Sequence, residues 1–94
     1  MAYNYSQKKS SQKPYRFNFA PAFIAGDNIA SVVITCAAGV SEISAHRLMT
    51  GQDVYCRFNT TGATAGLIYA ISVRATTTAG DIETLDLNLT VLDG

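Results

Sequence analysis

The side chains that could carry chemistry are few and scattered. The chain holds one histidine, His46, and two cysteines, Cys36 and Cys56. No Gly-x-Ser-x-Gly elbow and no Cys–His pair at a recognisable spacing surrounds them, so a nucleophile with its base is not expected. A structural zinc site would want Cys-x-x-Cys or His-x-x-x-His spacing, and neither occurs. Asp81, Glu83 and Asp86 lie close together, but acids at a turn and on a solvent face ordinarily serve hydration, and their spacing is not that of an EF-hand loop. Gly62, Gly66 and Gly80 lack the Lys-Ser/Thr and the helix that a phosphate loop requires, so they read as turns. The expectation is a chain with no catalytic residue, no cofactor and no metal: not an enzyme.

What remains is a charge and aromatic pattern at the N-terminus. The formal charge is zero, seven basic residues against seven acidic ones. Residues 1–16 hold Lys8, Lys9, Lys13 and Arg16 without an acid, a balance of +4. Residues 17–94 hold Arg47, Arg57 and Arg74 against seven acids, a balance of −4. Ser, Gln and Lys dominate residues 1–15, and such a segment cannot bury enough apolar surface to offset its ordering entropy. Tyr3, Tyr5 and Tyr15 are out of place in a purely solvating tail; their amphipathic area suits an arm that orders on a partner. Tyr3, Tyr5, Lys8, Lys9, Lys13, Tyr15 and Arg16 are therefore the candidate partner-binding residues. An acidic protein surface is the favoured partner, because no basic face on the body supports nucleic acid.

The elements that would position these residues are strands. Leu67, Tyr69, Ile71, Val73 and Ala75 alternate with polar or small residues, and Leu85, Leu87, Leu89 and Val91 repeat the pattern after a break at Thr78-Ala79-Gly80-Asp81. Alternation at period two predicts a hairpin of half-buried antiparallel strands. Further strands are expected near Arg16–Phe19, with Pro21 ending it, and at Ile29–Cys36 and Asp53–Asn59. Val32, Ile34 and Cys36, and Val54, Cys56 and Phe58, point inward, so both thiols are expected free and buried. Val40–Met49 predicts one or two short strands or a single helical turn. The fold class is all-β: an immunoglobulin-like β-sandwich of six to seven strands over residues 16–94, with a flexible N-terminal arm over residues 1–15. A small closed barrel is the structural rival. In such a sandwich, Tyr69 would anchor a corner by its hydroxyl.

No apolar stretch resembles a leader, and none approaches a membrane-spanning length. The cysteine usage fits folding in a reducing compartment. The Asn-x-Ser/Thr triplets at Asn4, Asn59 and Asn88 are read as chance.

Phe19 to Ser31, with its Gly26-Asp27 turn before a strand, and Thr64 to Gly80, with Gly66-x-x-Tyr69-x-x-x-Val73, resemble small tailed-phage proteins. Those proteins are immunoglobulin-like virion components described as fibre–tail adaptors or as structural proteins. The resemblance spans residues 17–92 and implies no catalysis and no cofactor. It implies a bacteriophage virion protein, made in the host cytoplasm and present in multiple copies of a symmetric assembly, linking tail fibres to the tail or portal region. Its partners would be other virion proteins, with no membrane, and with protein favoured over nucleic acid. A capsid decoration (cement) protein and a carbohydrate-binding module are the alternatives.

Overall fold

The computed structural model describes residues 2–20, 23 and 26–93. Pro21, expected to terminate a strand, and Gly94, expected to be pinned near the sheet, lie outside the described residues. The described chain forms β1 (Ala2–Lys8), β2 (Tyr15–Asn18), β3 (Ile29–Cys36), β4 (Ser41–Glu42), a 3-10 turn (Ser44–His46), β5 (Leu48–Thr50), β6 (Asp53–Cys56), β7 (Phe58–Asn59), β8 (Ile68–Thr77) and β9 (Ile82–Leu92).

The strands divide into a sheet ordered β1-β9-β8-β3, a sheet ordered β2-β6-β5, and a β4-β7 ribbon. All pairings are antiparallel except β1 on β9, which is parallel. Inward residues of the two larger sheets meet in one core. Phe17, Val54 and Cys56 come from one side, joined by Phe58 of the β4-β7 ribbon, and Ile71, Val73, Ala75, Leu85, Leu87, Leu89 and Val91 from the other. The architecture is all-β and sandwich-like.

The β8–β9 hairpin follows from its alternation. Ile71 opposes Leu87 and Val73 opposes Leu85, and all four are buried. Gly80 closes the turn at φ +95°, a left-handed conformation that costs a glycine little. Leu67 departs from the expected phase. It precedes β8, beyond the end of the core, and is exposed. The stretch Val40–Met49 resolves into both of its alternatives, two short strands flanking a 3-10 turn. That splitting, the Arg57 break between β6 and β7, and β1 raise the count from the expected six or seven to nine.

The largest correction concerns residues 1–15. Residues 2–8 are not a flexible arm. They form an edge strand in register with β9 from Ala2–Asp86 to Lys8–Leu92. Residues 9–14 then cross to the other sheet, and Tyr15 opens β2. The physical reason is a neighbour: β9 presents an unpaired ladder beside the Phe17 and Phe58 rings, and β1 satisfies both the backbone groups and the apolar surface.

Candidate interaction surface

Parallel pairing turns the N-terminal alternation into two faces. Tyr3, Tyr5 and Gln7 face the core, while Asn4, Ser6 and Lys8 face solvent. The Tyr3 ring stands edge-on to Phe17 at 5.4 Å between centroids and stacks on Tyr5 at 5.9 Å. Tyr5 meets Tyr15 at 5.0 Å, and Tyr15 meets Phe58 at 5.8 Å. The result is a continuous aromatic string built by β1, β2 and β7, in the offset and edge-on geometries that aromatic pairs favour.

Gln7 is the polar centre of this seam and is 2% exposed. Its Nε2 donates to the Phe58 carbonyl at 3.2 Å, to Thr60 Oγ1 at 3.1 Å and to the Ser11 carbonyl. Its Oε1 accepts from Tyr15 Oη at 2.9 Å. Burial, followed by the nearby Tyr5, pushes the Tyr15 phenol up to about 12. Thr60 Oγ1 donates in turn to the Lys9 carbonyl at 2.9 Å.

The seven residues expected to bind a partner therefore separate. Tyr15 is buried, and Tyr3 and Tyr5 pack against the core. Arg16 is outward but engaged, its Nε and Nη2 on the two Asp53 carboxylate oxygens at 3.1 Å each. Lys13 lies over the Tyr15 ring, Nζ 5.7 Å from the centroid. Lys8 is exposed, and Lys9 is half-exposed with its N–H on the Leu92 carbonyl. The structure brings the tyrosines together, with Tyr15 buried and Tyr3 and Tyr5 half-buried against the core. The Tyr-x-Tyr-x-Gln alternation was the available signal for a strand; low hydropathy hid it.

On the opposite side of the sandwich, Arg47 bridges the two layers. Its Nε donates to Glu42 Oε2 at 2.7 Å, Nη2 pairs with Glu42 Oε1, and Nη1 donates to the Val32 carbonyl at 3.1 Å. The Glu42 hydrogen bonds hold the Arg47 guanidinium more firmly protonated than usual. Cys36 and Cys56 are free thiols in this region. Cys56 is buried, and burial followed by the Glu42 charge pushes it up to about 12. Cys36 is half-buried rather than buried, and the same two causes raise it.

The Tyr69 hydroxyl accepts from the Thr64 N–H at 2.7 Å. Gly39 lies against it at φ +103°, and a Cβ there would stand 3.2 Å from the Tyr69 ring. The left-handed backbone favours glycine there, and a Cβ would need the Tyr69 ring to give by a few tenths of an ångström.

His46 sits exposed on the 3-10 turn. Among the described residues no group of His, Cys, Asp or Glu is arranged to hold a metal ion, and no helix is long and apolar enough to cross a membrane. The charge and aromatic pattern did not single out the exposed apolar side chains of Val33, Leu48, Met49, Leu67, Ile68, Ile82 and Leu92. Val33 had a signal: it breaks alternation inside the run Val32-Val33-Ile34. No protein-family model matches the chain, and no curated protein is significantly similar to it.

Proposed function

We propose that the chain is a non-enzymatic, immunoglobulin-like virion protein of a tailed phage, an adaptor that links fibres to the tail or portal region. The observation that carries the fold reading is the division of strands. β2-β6-β5 opposes β3-β8-β9, which is the B-E-D and C-F-G partition of an immunoglobulin sandwich when β2, β3, β5, β6, β8 and β9 are taken in chain order. The hydrogen bond that Tyr69, near the start of β8, accepts from the Thr64 N–H supports the reading, since that fold's corner tyrosine also bonds backbone a few residues upstream.

The tail role rests on the likeness of segments 19–31 and 64–80 to phage adaptor proteins. With Tyr15 buried and Tyr3 and Tyr5 packed against the core, exposed Lys8, and Lys13 over the Tyr15 ring, are the charges offered to an acidic neighbour. Mass spectrometry and electron cryo-microscopy of purified particles of the encoding phage test the reading. Density between fibres and tail or portal supports it. Density on the capsid shell supports a decoration role instead. Absence from the particle overturns both.

A further inference from the structure

We propose that β1 is an exchangeable strand: two copies of this chain trade their β1 strands across a two-fold axis, each filling the β9 edge of the other. Of the first and last strands, β9 is held between β1 and β8, so only β1 can leave by breaking a single ladder. Its seat is a groove whose matched occupant is known. The β9 ladder from Asp86 to Leu92 pairs with β1 along its length. The Phe17 and Tyr15 rings receive Tyr3 and Tyr5. The Phe58 carbonyl, Thr60 Oγ1 and Tyr15 Oη bond the Gln7 amide. The β1 strand of a second copy, being the same sequence, meets each of these groups in the same way. That identity selects a second copy as the exchange partner.

The connection decides how close the two copies sit. Residues 9–14 link β1 to β2, and Gln12, Lys13 and Pro14 are exposed. The segment turns back around Lys9 and Ser10, where the Ser11 N–H donates to the Lys8 carbonyl at 2.9 Å. Of these two central residues only the serine favours a turn. Pro14 disfavours a helical Lys13 and so favours a straight run into β2. Opened fully, six residues reach about 20 Å.

A link that short brings the two hinge ends face to face, and exposed apolar side chains gather at that end. Leu92 opposes Lys8, the last residue of β1, and Ile68 opposes Thr90 on the same outer face. The Leu67 carbonyl beside them accepts from the Val91 N–H at 3.1 Å. Leu67, Ile68 and Leu92 are 52%, 67% and 41% exposed. In the monomer these side chains face water; in the exchanged dimer they meet the other copy. The contacts of β1 are the same in both forms, so this new burial is what offsets the entropy of association. Lys8 and Lys9 of the two copies also approach there, a repulsion that physiological salt screens over about 8 Å. Exchange is reciprocal, so the assembly closes as a dimer.

Asn4 and Asn88 are paired in register on the outer face, and a disulfide at these positions records which β1 lies on which β9. The full-length Asn4→Cys/Asn88→Cys chain is prepared in light and heavy-nitrogen forms. The two are mixed in equal amounts under native, reducing conditions in physiological salt, equilibrated at rising concentration, then oxidised and mapped with trypsin. Sedimentation velocity should show a dimer forming as concentration rises. About half of the dimer's links between positions 4 and 88 should join a light peptide to a heavy one, as random reciprocal exchange requires. Ser6→Cys/Thr90→Cys, the next pair in register, repeats the test should the first pair fail to fold. Ile68→Lys should raise the dissociation constant at least ten-fold with the fold intact. Ile82→Lys, exposed at the opposite end of β9, should leave it unchanged. A chain that stays monomeric at every concentration, a dimer whose links all join peptides of one isotope, one indifferent to Ile68→Lys, or one broken by Ile82→Lys would each overturn the assignment.

Discussion

Tyr15 donates its hydroxyl proton to Gln7 Oε1 at 2.9 Å, inside a seam where both side chains are almost fully buried. That bond ties the first strand of one sheet to the first strand of the other. It also fixes the register of β1, because a slip by one residue would turn Gln7 to solvent and Ser6 inward. Gln7→Leu leaves the Tyr15 hydroxyl and the Phe58 carbonyl without their buried partner and should cost about 1–3 kcal/mol. Tyr15→Phe should cost about 1 kcal/mol. Urea titrations of both variants and of the double variant provide the check. The double cost should fall short of the sum, as for groups sharing one network; strict additivity would show the bond to be unimportant.

Deletion of residues 2–8 should destabilise the isolated protein severely. It strips a ladder from β9 and uncovers the Phe17 and Tyr15 rings, in a domain whose whole stability is of the order of 5–15 kcal/mol. An unchanged urea midpoint would mean that β1 is not part of the folded unit. A disordered arm would give the reverse outcome.

Leu87 is completely buried at the middle of β9. Leu87→Ala should cost about 2–5 kcal/mol. Its neighbour Asn88 makes only an exposed bond to Asn4 Oδ1 at 3.3 Å, so Asn88→Ala should cost under about 1 kcal/mol. Equilibrium unfolding of the two variants measures the contrast, and a reversal would invert the faces of β9.

Alkaline pH should unfold the protein in two overlapping stages. Cys56 is raised from 9.0 and Tyr15 from 10.0, each to about 12. A group raised in the folded state favours folding fully below its unfolded value, and that contribution is lost as pH rises through the folded one. Stability should therefore decline from pH 9 and further from pH 10 up to about 12. Cys56→Ala should remove the earlier part and Tyr15→Phe the later part. Denaturant midpoints across this range provide the measurement, and coincident curves for all three proteins would refute the assignment. At neutral pH, Cys36 should react with a thiol reagent well before Cys56, whose burial also shields it.

The long hairpin was legible because Leu85, Leu87, Leu89 and Val91 alternate without interruption, and a strict period of two matches a strand with one buried face and not a helix. β3 and β6 were legible for the same reason. β1 was not, since its inward face is Tyr-Tyr-Gln rather than aliphatic, and its pairing partner lies at the far end of the sequence. A tyrosine pair is compatible with a partner's surface or with the chain's own, and only the three-dimensional neighbourhood of Phe17 and Phe58 decides between them. The order of the strands was hidden differently. Alternation reveals the inward and outward faces of a strand but not which strand ends a sheet.

The Ala2–Asp86 pairing also sets a timetable. A ribosome delivers β1 well before β9, so Tyr3 and Tyr5 leave the exit tunnel long before the ladder that will cover them exists. Closing a loop that spans almost the whole chain is entropically expensive and slow. The nascent protein must therefore pass through a stage in which the β8–β9 hairpin is still missing and the aromatic rings of its first strand stand open to chaperones. Final consolidation should wait for β9, and its rate should respond more to changes in β1 and β9 than to changes in β4 or β5.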